Sequence, residues 1–192
     1  PPRSTLFPYT TLFRSYIGID GSHAFIQEAQ QAVALLKTTA EFRFQIADLA
    51  SPDWAGAFQP ESFDRITCFA VLQHLPGKTL QQAIITQSAL LLRSGGQLML
   101  SAWQVFQSLT LTARILPWDS VRVDPMQLDP GDILLDWRAG PASEQPACRY
   151  VHVFRSDELL SLGKTAGLSL SSEFYSDGKN QSLALYQVWE KL

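Results

Sequence analysis

Four short stretches carry side chains able to do chemistry: Asp20 in YIGIDGS, Asp48 in IADL, His74 in FAVLQHL, and the run Arg149-Tyr150-Val151-His152. Asp20 and Asp48 each close an apolar, strand-like run. If those two runs lie side by side and parallel, both carboxylates stand at the carboxyl end of a sheet, where ligands sit in open α/β folds. Taken singly, each aspartate is equally suited to capping the turn or helix that follows. His74 has a side chain that titrates near neutrality and can orient a ligand or act as a base; a backbone carbonyl that satisfies the ring is the alternative. Arg149 offers a bidentate grip on an anion, while Tyr150, Trp103 and Trp137 offer ring faces to a planar group. His152 adds a second imidazole, although in a strand YVHVF the apolar members are core.

The elements that must position these groups alternate from Tyr16 onward. Tyr16–Asp20 reads as a strand. Ser22 is an N-cap for a helix from about Ser22 to Lys37, with Phe25, Ala29, Ala32, Val33 and Leu36 at helical spacing. Phe42–Leu49 is a second strand and RITCFAV a third, apolar enough to be covered on both faces. Thr79-Leu80-Gln81-Gln82 has the form of a capping box, and the helix it opens runs until Gly95-Gly96 stops it; GGQLMLSAW is the next strand. Residues 104–149 break this rhythm with repeated proline and glycine and read as an insertion covering the sheet on the substrate side. Ser156-Asp157-Glu158 opens a further helix, Gly167 closes it, and LSLSSEFY and SLALYQVW flank an SDGKN turn as an antiparallel hairpin. Strands and helices in this order predict an α/β fold with a largely parallel sheet.

The bulk properties fit one domain. Of 192 residues, 46% are hydrophobic and 17% charged, enough for one substantial core. No apolar run approaches the roughly 18–20 residues that cross a bilayer, so a soluble, cytoplasmic protein without membrane contact is expected. Cys68 and Cys148 stand in unrelated contexts without CxxC spacing, so neither a disulfide framework nor a metal site is expected. The net charge of −3 and the absence of a basic block argue against a non-specific grip on polyanions.

The start of the chain is out of keeping with the rest. PPRSTLFPYTTLFRS, residues 1–15, contains no glycine and reads, codon for codon, as one translated frame of a common short-read sequencing adapter. It is therefore set apart as non-native, leaving 16–192 as a partial domain.

From Tyr16 to about Trp103 the order of signals resembles the class I S-adenosylmethionine-dependent methyltransferases, a Rossmann-like fold. The resemblance implies S-adenosyl-L-methionine as cofactor. Asp20, with Gly21 beside it, stands where that family's second strand ends in an acid that accepts from both ribose hydroxyls. Ala47-Asp48-Leu49 stands where the adenine amino group is read, with Asp48 accepting and Leu49 packing on the ring. Phe69, Ala70, Val71 and His74 fall in the segment lining the methyl-transfer side. The resemblance also implies that the family's first strand and glycine loop are missing here, and hence that the 192-residue polypeptide binds the cofactor poorly.

The last third, GDILLDW followed by RYVHVF and SDELLSLGKTAGL, is similar to the family that methyl-esterifies 5-carboxymethyluridine at the tRNA wobble position. It departs from that pattern at Asp136, where a proline is usual, and at Val151, where a tyrosine is usual. The similarity implies tRNA as partner and a small activator subunit as a possible second one. Arg149 and Tyr150 are the leading substrate-site candidates, with Trp103, Trp137 and His152 secondary. A small-molecule O- or N-methyltransferase, which asks His74 or His152 to serve as base, is the alternative, and a non-catalytic methyltransferase-like protein is the second.

Overall fold

The computed structural model describes residues 15–136 and 147–192, and the chain divides after Trp54 into two compact units. Trp137 lies outside the described residues.

In the first unit, β1 (Ser15–Asp20) runs parallel to β2 (Glu41–Ile46) in register Asp20↔Ile46, joined by α1 (His23–Ala34). Ser22 caps α1 as expected, its Oγ accepting from the Phe25 amide at 3.4 Å. The helix ends three residues before Lys37, and Ile26 is its one buried residue; Phe25 and Leu36, expected on its inner face, are exposed. A two-stranded sheet has too little face to cover a full apolar stripe.

The second unit is built on a four-stranded sheet in the order β3-β4-β9-β8. β3 (Phe63–Phe69) pairs parallel with β4 (Leu92–Trp103), and β9 (Ala184–Lys191) is antiparallel to β4 and to β8 (Leu168–Ser176). The sheet is therefore mixed, with parallel pairing confined to β1-β2 and β3-β4 among the described strands. The helices α2 (Lys78–Leu91) and α4 (Ser156–Thr165) contact each other, and Ile84, Ile85, Leu159 and Leu162 join Leu98, Leu100, Leu185 and Trp189 in the core. Trp189 is fully buried because Gly163 of α4 has no side chain: a Cβ there would collide with the indole ring.

Two expectations for α2 are corrected. It starts at Lys78 after Gly77 at φ +84, with no side-chain cap. Thr79 is already inside the helix, and half-buried Gln82 donates to Thr86 Oγ1 at 3.2 Å and reaches across to the Leu162 carbonyl of α4 at 3.1 Å. The helix also ends at Leu91, ahead of the glycines. Gly95 (φ +73) and Gly96 lie within β4, where its register against β3 slips between Phe63 and Arg65; they let the strand kink instead of stopping a helix.

The segment expected to be an insertion builds its own antiparallel sheet. After a single turn of helix, α3 (Leu109–Thr112), β5 (Ile115–Leu116) pairs with β6 (Asp132–Asp136), and β6 pairs with β7 (Cys148–His152). Val105, Ile133, Leu135, Val151 and Val153 form its buried core, with Trp103 from the end of β4 packed against them. Among the described residues no helix is long and apolar enough to cross a membrane.

Candidate functional site

The aspartates picked out in the sequence stand at adjoining strand tips in the first unit. The Ala47 amide donates to the Asp20 carbonyl at 3.1 Å, so the chain leaving β2 is tied to the end of β1. Asp20 Oδ1 accepts from the Ser22 amide at 2.7 Å and Asp48 Oδ1 from the Ala50 amide at 2.9 Å. Each carboxylate thus does what a capping residue does with one oxygen. Both side chains are exposed, and among the described residues nothing pairs with either Oδ2. Gly21 lies beside this junction, where an added Cβ would stand 3.9 Å from the Ala47 carbonyl oxygen, and Leu49 is half-buried. The five residues Asp20, Gly21, Ala47, Asp48 and Leu49 therefore gather at one end of a parallel pair. They present two pre-oriented acceptors able to take hydroxyl or amino donors.

In the second unit the end of β3 is held in an uncommon shape. Phe69 is half-exposed, and Ala70 has φ +54, a left-handed conformation that costs a non-glycine residue about 1 kcal/mol or more. The Ala70 amide is shared between the Ser101 carbonyl at 3.0 Å and the Ser101 Oγ at 3.1 Å, which fixes the turn into Val71 and the short helical turn Leu72–His74. Gln73, fully buried, accepts from the Trp103 amide at 2.6 Å and so ties that turn to the end of β4.

His74 follows directly. Its Nδ1 lies 3.0 Å from the Tyr150 carbonyl, and because a carbonyl can only accept, Nδ1 carries the proton. Its ring meets Trp103 edge-on at 5.4 Å. Burial holds the imidazole below the usual histidine range, the Tyr150 carbonyl opposes this, and the positive charge of Arg149 pushes in the same direction as burial. Arg149 itself is half-buried. His74, Trp103 and Arg149 therefore form one neighbourhood: a neutral imidazole with Nε2 as its lone-pair nitrogen, an indole and a guanidinium.

Tyr150 and His152 belong to a different cluster. Strand alternation puts them on the opposite face of β7 from Arg149, and both reach Asp132 at the start of β6. Asp132 Oδ1 accepts from Tyr150 OH at 2.7 Å and from His152 Nδ1 at 2.6 Å, while Oδ2 accepts from the Asp129 amide at 2.9 Å. His152 Nε2 stands 3.1 Å from Glu158 Oε2 of α4 without making a hydrogen bond to it. The His152 side chain is 1% exposed. Burial, then the hydrogen bond and charge of Asp132, push the Tyr150 phenol up, against a hydrogen bond from the Gly77 backbone that lowers it. Gly131 is needed here: at φ +106, its missing Cβ leaves room for the Val153 carbonyl and the His152 ring.

Asp132, Glu158 and Gln73 were not singled out as site residues in the sequence. The first two carried a usable signal, since an acid facing a histidine across paired strands and an acid one turn into the next helix suit a buried imidazole. A separate cavity of about 320 Å³ between α2 and α4, lined by Lys78, Gln81, Arg155 and Glu158 among others, includes none of the candidate residues.

The order of strands and helices along the chain, with parallel β1-β2 and β3-β4 pairs and a closing antiparallel β8-β9 hairpin, is that of the class I S-adenosylmethionine-dependent methyltransferase fold. A SAM-dependent methyltransferase from Methanosarcina mazei superposes with a TM-score of 0.70 at 21% identity, covering 93% of this chain and 82% of that one. Magnesium protoporphyrin IX methyltransferase from Synechocystis, solved with bound S-adenosylhomocysteine, gives 0.55 at 20% identity over 92% of this chain and 64% of that one. The methyltransferase from Haloferax volcanii in complex with its Trm112 activator gives 0.58 at 13% over 91% and 70%. Residues 4–98 match the family described as Methyltransferase domain. The chain thus has the α/β fold of the class I methyltransferases, whose cofactor is S-adenosyl-L-methionine. No curated protein matches its sequence.

Proposed function

We propose that the chain serves methyl transfer from S-adenosyl-L-methionine to a carboxylate oxygen on an acceptor that also carries a planar ring, with 5-carboxymethyluridine in tRNA as the specific substrate. The observation that supports this most directly is the grouping of Arg149, Trp103 and His74 at the junction of β4 and β7. Arg149 suits the acceptor's carboxylate and Trp103 its ring.

Asp20 and Asp48 fit the cofactor's adenosine, since each keeps one oxygen for a vicinal hydroxyl or an amino group while a backbone amide fixes the other. When bound, the cofactor supplies an electrophilic methyl group on a sulfonium. The acceptor carboxylate, with a pKa near 4, is already a nucleophile at neutral pH and needs no base. What remains for the protein is alignment and the removal of water from the reacting oxygen. A small activator subunit is a partner consistent with this reading.

The neutral His74, with its lone pair on Nε2, favours a second reading in which a small-molecule hydroxyl or amine is the acceptor and His74 takes its proton. Transfer of labelled methyl decides between the two. Uptake by carboxymethyluridine-containing tRNA, lost in Arg149→Ala and kept in His74→Gln, upholds the first. Uptake only by small phenols or amines, lost in His74→Gln, replaces it with the second.

A further inference from the structure

We propose that Tyr150 and Asp132 are positioning residues for His74, setting which of its ring nitrogens faces the acceptor. The proposal rests on the reading of His74 as part of the acceptor site. Tyr150 is gripped at both ends. Its phenol donates to Asp132 Oδ1 at 2.7 Å and accepts from the Gly77 backbone at the head of α2, so the hydroxyl has both a donor and an acceptor partner within the protein. Its carbonyl, at the other end of the residue, accepts from His74 Nδ1 at 3.0 Å. Asp132 is in turn held by His152 Nδ1 and the Asp129 amide.

A path of hydrogen bonds therefore leads from His152 through Asp132 and Tyr150 to the imidazole beside Trp103. Its last link decides the chemistry of that ring. With Nδ1 committed as a donor, Nε2 is left as acceptor, near the Gln73 amide at 3.4 Å. If the carbonyl moved away, Nδ1 would lose the acceptor that fixes its proton, and only the long contact from the Gln73 amide at 3.4 Å would still favour a lone pair on Nε2. The phenol's role is thus structural in its contacts and functional through the carbonyl of the same residue.

Histidine NMR of the whole chain reads this directly, because there are three histidines, His23, His74 and His152. In the wild-type chain the His74 ring should be a single tautomer, protonated on Nδ1 and bare on Nε2. Tyr150→Phe removes the hydroxyl alone and should convert that pattern into a tautomer mixture. It should also move the His74 titration midpoint upward, since water reaching the ring relieves the burial that outweighs the lost carbonyl contact. Asp132→Asn, of the same shape, should do the same and stands in if Tyr150→Phe does not fold.

A wild-type His74 protonated on Nε2 overturns the proposal without recourse to either variant. So does a folded variant whose His74 signals and midpoint match the wild type, because a merely structural phenol would change thermal stability and leave the ring as it was. The labelled-methyl assay is read separately: a fixed His74 in a chain that methylates neither class of acceptor defeats the functional reading and leaves the positioning intact.

Discussion

Arg149 and Tyr150 are neighbours in sequence, yet they serve opposite faces of one strand. Period-two alternation sends Tyr150 and His152 to Asp132 and turns Arg149 toward His74, so a single site containing all three was never available to β7. That separation was legible in the letters RYVH once the segment was read as a strand. What the letters did not contain is the depth of burial: His152 resembles a catalytic imidazole until its two carboxylate neighbours and 1% side-chain exposure are known. The placing of Asp20 and Asp48 at adjoining strand tips was legible in sequence, because each closes an apolar run, and each also caps the following turn with one oxygen.

Two predictions belong at this scale. Because His74 is held below the ordinary histidine value of 6.5, the unfolded chain binds its proton more readily than the folded one. Stability from this residue is complete above about pH 6.5 and declines as pH falls through and below it. Urea unfolding across that range should show a steeper loss for the wild type than for His74→Gln, and parallel curves would refute the assignment. Cys68 is buried, and burial pushes its thiol up to about 11, whereas Cys148 is exposed. Ellman's reagent at pH 8 should therefore titrate one thiol in the native chain and two after denaturation.

At the scale of elements, local signals located most helices and strands but misjudged how they end. Ser22 before α1 and Gly167, at φ +77 after α4, perform the capping and stopping roles their residue types suggest. Gly95-Gly96 fail as a helix stop because β4 starts at Leu92, where pairing with Phe63 of β3 and burial of the leucine outweigh the helix. A long-range pairing of this kind has no trace within the local window. The close approach of Gly163 of α4 to the Trp189 ring of β9 is equally non-local. Gly163→Ala should cost about 1–3 kcal/mol or more through overpacking, despite the alanine's better helix propensity. A chemical-denaturation midpoint no lower than that of the wild type would contradict this close contact.

At the scale of the whole chain, charge bears on the choice of acceptor. A net charge of −3 gives little attraction for a nucleic-acid backbone. At about 0.15 M salt the chain alone should therefore retain tRNA weakly, and tight, saturable retention by filter binding would show a basic surface that the composition does not suggest.

The order of the strands has a further cost. Among the described residues, β3 is paired along one edge only, through β4. An unpaired strand rim is a row of amides and carbonyls able to template strands from other molecules. Asp64, paired with Arg93 of β4 at 2.6 Å, and Arg65 place charge on the two faces of β3 and interrupt its apolar run as gatekeepers. Replacing both with valine would leave FVVITCF, an apolar seven-residue ribbon, and concentrated solutions of that variant should seed thioflavin-positive fibrils where the parent remains clear.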